Sequence, residues 1–170
     1  METPTWALWL AYWLHMVATV VWIGGLAALA IFVLPAARRA LDEPAYAAFL
    51  SGLQQRFDPL GWFSLAILAG TGMFQMSASP GYQGFLAIEN LWAAAILVKH
   101  LLFFTMAGLS AYLTWGLLPK IRRLALRRAV SAPADDMAAR RLAAQETRLL
   151  QLNLLLGVLV LALTAIARAS

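Results

Sequence analysis

From Leu91 to Leu118 the chain reads LWAAAILVKHLLFFTMAGLSAYLTWGLL, an apolar run broken only by the adjacent pair Lys99 and His100. About 20 apolar residues suffice to cross the hydrocarbon core of a bilayer. Such a segment has to be helical, because lipid offers no partners for backbone N–H and C=O groups. Three more apolar runs lie at about 6–34, 57–76 and 149–167. Only 12% of the residues are charged, where a soluble domain carries about a quarter. The pattern predicts an all-α integral membrane four-helix bundle, forming a single membrane domain over residues 1–170.

The first run begins with Trp6, Trp9, Tyr12 and Trp13, as an aromatic belt at a membrane interface does. The opening METPTWALWL has no basic stretch of the kind that starts a cleaved signal peptide. Pro35 is expected to end the membrane part of this run, and residues 40–56 to form a connector with a short interfacial helix after Pro44. The second run carries the small residues Gly61, Gly70 and Gly72, which allow close packing or leave room for a cofactor. Residues 77–90 read as a loop, with Pro80, Gly81 and Gly84 as turn signals. The third run is expected to end near Pro119. A helical connector follows over about 119–148, basic and amphipathic at first and broken at Ser131, Ala132 and Pro133.

Of the 13 Lys and Arg residues, three lie in the first connector (Arg38, Arg39, Arg56) and eight in the second (Lys120, Arg122, Arg123, Arg127, Arg128, Arg140, Arg141, Arg148). The positive-inside rule then places both connectors in the cytoplasm and both termini outside. This implies a multi-pass protein of a bacterial cytoplasmic membrane. The basic residues flank apolar spans, so they read as topology and lipid-headgroup contacts and not as a nucleic-acid surface.

Topology assigns depth. Spans one and three both enter from the outer face. His15 lies nine residues after Trp6 and His100 nine after Leu91, so each sits about 13 Å below its span start. Gly70 and Gly72 near the outer end of span two, and Arg168 at the outer end of span four, reach the same region. An ionisable group inside a membrane marks a functional site by default. The arrangement suits a haem b, with one axial ligand from each of two helices, small residues against the ring and a cation near the propionates. His15 is one ligand, and His100 or Lys99 is the other. Neighbouring helix positions differ by about 100°, so Lys99 and His100 cannot both point at one centre. The competing reading has Lys99 reaching the interface and His100 bonded to a nearby carbonyl. Trp22, Gly25, Gly70 and Gly72 would shape the pocket, and Arg168 would meet the propionates.

Met73 and Met76, spaced i, i+3, offer thioethers that suit Cu(I), although ordinary packing also explains them. Gln151 and Asn153 lie near the inner end of span four, where hydrogen bonding between helices is expected, and Glu146 is expected to pair with connector arginines. The chain has no cysteine, which excludes disulfides, thiolate sites and iron–sulfur clusters. A phosphate-binding glycine loop, a Ser-His-Asp set and paired membrane carboxylates are also missing, so hydrolase and kinase chemistry has no support.

The segment WLHMVATVVWIGGL, from Trp13 to Leu26, resembles the first helix of the copper-resistance D (CopD-like) membrane family, with its histidine followed by Trp22, Gly24, Gly25 and Leu26. The run LVKHLL, from Leu97 to Leu102, resembles a later helix of that family, and the tail from the arginine cluster through Glu146 to Ala167 resembles its last. A more distant likeness is to HemJ-type protoporphyrinogen oxidases, where a first-helix histidine and a later lysine surround haem b; His15 and Lys99 match those positions. His100 has no counterpart in either pattern. Beyond Leu34 and Pro35, the polar segment that follows the first helix in HemJ-type proteins is not reproduced.

Two function classes follow, with a third beside them. One is a haem b protein for electron transfer or redox chemistry, in one form a membrane oxidoreductase, with a quinone or another redox membrane protein as partner. The second is copper ion transport or resistance, which the first resemblance implies, with His15, Met73, Met76 and His100 as ligands. The third is a cofactor-free accessory subunit of a larger complex; a homo-oligomer is a further arrangement open to the chain.

Overall fold

The computed structural model describes residues 4–79, 81, 82, 84, 91–130 and 136–169. The described residues form four long helices. Helix α1 spans Thr5–Ala40 and α2 spans Glu43–Ser77. Helix α3 begins as Leu91–Ala111 and continues through Tyr112–Leu117 into Leu118–Val130. Helix α4 covers Asp136–Ala169. Three of the four, α1, α3 and α4, are long and apolar enough to cross a membrane. The predicted second span is the C-terminal part of α2, where glycine, serine, threonine and glutamine dilute the apolar run.

The prolines do not end helices. In α1 the stretch Ala28–Val33 widens into a π-helical turn just before Leu34 and Pro35, and the helix then continues to Ala40. In α3 the stretch Tyr112–Leu117 does the same just before Leu118 and Pro119. Proline lacks an N–H, and its ring presses on the carbonyl four residues back. A wider turn ahead of it relieves that clash and lets the helix go on. The helices therefore continue unbroken past Pro35 and Pro119, where the membrane parts of spans one and three are expected to end. At about 1.5 Å per residue, α1 is about 54 Å long, well beyond the roughly 30 Å of a hydrocarbon core.

The expected connector over residues 40–56 shrinks to the joint Leu41 and Asp42. Leu41 is extended, and the Asp42 carboxylate accepts from the Ala45 N–H at 2.9 Å, with Glu43 and Pro44 in the first turn. A capping aspartate followed by proline is a strong start signal, so α2 begins at once and takes in the rest of that segment. The break expected at Ser131, Ala132 and Pro133 lies outside the described residues.

Helix α1 packs mainly on α2, and α3 mainly on α4; α1 also touches α4, and α2 meets the lower part of α3. That order leaves α1 and α3 facing each other across the bundle. The α1–α2 seam is tight at Gly61, where an added Cβ would come within 3.0 Å of the Trp22 ring. Leu26, Leu34, Leu50, Met106, Leu113, Leu117 and Leu150 form the apolar core. Large apolar side chains such as Val20, Phe32 and Trp115 face outward, as a lipid-facing surface requires. Hydroxyls within the apolar helices bond back one turn: Ser64 to Leu60 O, Thr105 to Leu101 O and Thr164 to Val160 O. Asn153, fully buried, donates to Ser110 Oγ at 2.8 Å and so joins α4 to α3.

At the arginine-bearing end, Arg38 of α1 donates to Glu146 and Thr147 and to the Ala143 carbonyl of α4, and to the Tyr46 hydroxyl of α2. Glu146 is 2% exposed. Burial and the adjacent Glu146 charge push the Tyr46 phenol up to about 12, so it stays protonated and donates to that carboxylate. Removing one partner of a buried pair strands the other charge, which costs about 3–5 kcal/mol. Arg38→Ala should therefore lower the melting temperature in detergent sharply. Replacing the exposed neighbour, Arg39→Ala, should leave the melting temperature nearly unchanged.

Candidate functional site

His15 is half-buried on α1, facing α2. Thr71 of α2 donates its hydroxyl proton to Ile67 O at 2.6 Å. Its oxygen is 2.8 Å from His15 Nδ1. A hydroxyl has one proton to give, so Thr71 accepts from Nδ1–H, and the unprotonated nitrogen of His15 is Nε2. This is the arrangement a ligating histidine needs, with one nitrogen held by a hydrogen bond and the other presenting a lone pair. Thr19 bonds back to the His15 carbonyl within α1 at 2.7 Å, and Gln75 of α2 donates to the Ala11 carbonyl of α1 at 3.1 Å, so the two helices are also tied one turn from the imidazole. A Cβ at Gly72 would stand 3.4 Å from His15 Cε1; a residue with a branched or long side chain would press on the ring.

The Arg168 guanidinium of α4 sits 4.6 Å from the centre of the Tyr12 ring, which draws the cation toward α1, three residues from His15. Lys99 is on α3. His100, the neighbour of Lys99, donates Nδ1–H to the Ile96 carbonyl at 2.7 Å, so its unprotonated nitrogen is also Nε2. That bond is compatible with both readings: the competing one gave His100 a carbonyl partner, and a ligating histidine is held in the same way.

The other candidate residues are dispersed. Gly70 is exposed, with nothing within 4 Å of an added Cβ. Trp22 and Gly25 lie further along α1 and line a separate cavity in the half of the bundle that holds Arg38 and Glu146. Met73 is exposed and Met76 buried, so the i, i+3 pair does not present two sulfurs to one place. Met16 is also exposed, and Met106 packs against Gly157. Among the described residues no three His, Asp or Glu side chains come together as a metal-binding group. Thr71 was not among the candidates read from the sequence. A threonine in an apolar helix is ordinarily satisfied by its own backbone, so only the packing of α2 on α1 reveals its second role.

Residues 51–167 match the family model for copper resistance protein D. The chain belongs to the CopD family. It is therefore an integral membrane protein of a family linked to copper resistance. The match takes in Thr71, Lys99 and His100, while α1, with His15, lies wholly before it. No curated protein and no solved structure matches the chain.

Loss of the hydrogen-bond partner behind a ligating histidine ordinarily weakens a metal centre about 10–100-fold. Thr71→Val keeps the shape of the side chain and removes the acceptor for Nδ1–H. The variant should keep its helical circular dichroism while retaining less of whatever group His15 ligates, measured as bound group per protein after dilution.

Proposed function

We propose that this CopD-family protein is a membrane redox protein that would hold haem b at the outer-half site, with His15 as one of the residues holding it and Lys99 or His100 as the other. The observation that carries this reading is a histidine whose Nδ1 is held by Thr71, with the Arg168 guanidinium over Tyr12 one turn away on the same helix. A bare copper ion placed there would meet the like charge of Arg168. A haem carries two propionates, which that cation favours. The diagonal relation of α1 and α3 supports the same reading, because a porphyrin between facing helices takes one ligand from each. His100 remains the alternative to Lys99 as second ligand.

Such a group supplies one-electron chemistry. Within this chain, Thr71 would fix the imidazole tautomer, Gly72 would leave the ring room, and Arg168 would neutralise a propionate. The basic connectors place the arginine-bearing ends of the helices in the cytoplasm and the His15 end outside, as the positive-inside rule implies, with the whole chain acting as one membrane domain.

The family's link to copper resistance favours a second reading, in which copper itself is the cargo and His15 and Met76 hand it inward from the outer face. The two readings part on simple measurements. Protein purified in mild detergent should show a sharp reduced α-band after dithionite, and His15→Ala should abolish it. A colourless protein that binds copper, measured by mass spectrometry, and loses that copper on His15→Ala would replace the haem reading with the cargo reading. Sidedness is tested in the same system, since the chain has no native cysteine. A cysteine placed at Ser79 should react with an impermeant maleimide in intact cells, and one at Arg127 only after lysis.

A further inference from the structure

A cavity of about 160 Å³ lies between the helices in the half of the bundle away from His15. It shares no residue with the His15 site. An apolar cavity of about this size takes a single aromatic ring and is far too small for a porphyrin. Its walls are largely aliphatic and aromatic, with Trp22 from α1 and Phe57 and Trp62 from α2. Trp62 is itself backed by Trp115 of α3, stacked at 5.0 Å with the planes 6° apart, which holds that wall flat.

The polar groups are few and gathered. Gln54 donates to the Thr114 carbonyl at 3.2 Å, and the Thr114 hydroxyl lies 3.4 Å from Asp58 Oδ1; all three line the cavity. An amide, a hydroxyl and a carboxyl therefore meet along one edge of a slot with aromatic walls. A site of this kind orients a ring that carries polar substituents. Glu146 also lines the cavity. It lines a second, smaller cavity as well, which extends among Tyr46, Ile121 and Leu142 toward the arginine-rich stalks. A carboxyl group thus stands between a ring-sized pocket at membrane depth and the basic end of the molecule.

A hydrocarbon tail would have no use for the polar edge, and the largely aliphatic and aromatic walls favour a lipid-soluble ring over a soluble metabolite. We propose that the cavity binds the head ring of a lipid-soluble, single-ring quinone, with the ring between Trp22 and Trp62 and a ring oxygen directed at Gln54, Thr114 and Asp58. Binding here does not depend on what His15 holds, so the two assignments fail separately.

Decyl-ubiquinone is the probe. Titrated into the full-length protein in detergent, it should quench tryptophan fluorescence saturably. The double variant Gln54→Leu, Thr114→Val should weaken binding at least tenfold. Gly25→Leu is the second variant. Gly25 lines the cavity, and an added Cβ there has nothing within 4 Å. Leucine is also a better helix former than glycine, so this variant should fold, fill the slot and abolish saturation. Decanol should not compete. Absence of saturable quenching in the wild type, unchanged affinity in Gly25→Leu, or equal competition by decanol would each overturn the assignment.

Discussion

The buried contact between Arg38 and Glu146 governs how the four helices come together. An unpaired carboxylate at 2% exposure would carry a prohibitive desolvation cost. Arg38 answers it, and spends its remaining donors on Tyr46, Thr147 and the Ala143 carbonyl. One guanidinium thus ties α1, α2 and α4 at one end. That fixed point sets the rotation of α1, and rotation decides which faces meet further along. Trp22 lies against Gly61, and His15 comes to rest against Thr71 and Gly72.

Two polar levels result, with an apolar layer between them. Met106 of α3 and Ile23 of α1 close on Gly157 of α4, where a Cβ would stand 3.3 Å and 3.6 Å from their side chains. On one side of this layer lie His15, Lys99 and Arg168. On the other lie Gln54, Asp58, Thr114 and Glu146, around a ring-sized cavity. Asn153 and Ser110 bond to each other nearby, and Asn153 Oδ1 is buried without a partner. Polar groups in lipid are costly, and their segregation into two levels gives each a separate task. One level presents the His15 imidazole held by Thr71. The other presents hydrogen-bonding groups at the edge of an aromatic slot.

The π-helical turns before Leu34 and Leu118 show how the chain keeps its helices continuous through two prolines. Without them, Arg38 on α1 and the basic stretch of α3 would not ride on rigid extensions of the spans. The arginine-rich end of the molecule is in this sense an outgrowth of the membrane helices and not a set of loops laid against them.

The amino-acid sequence by itself determined the helical class, the membrane setting, three of the four long apolar helices and the resemblance to the CopD family, because hydrophobic length and backbone hydrogen bonding leave no other solution. It also pointed to Glu146 and Asn153 as partners for neighbouring helices, since a buried carboxylate or amide must find one. The helix ends were not legible in the same way. Proline and charge marked Pro35 and Pro119 as the ends of the membrane parts, but not that a local change of helical pitch carries the helices on through both prolines. Nor could spacing along the chain reveal that Thr71 holds the His15 ring or that Trp22 and Gly25 belong to a different cavity. Those relations depend on how α1 is rotated against its neighbours. The depth of a residue follows from counting along one helix, but the direction of its side chain is set only when all four helices pack.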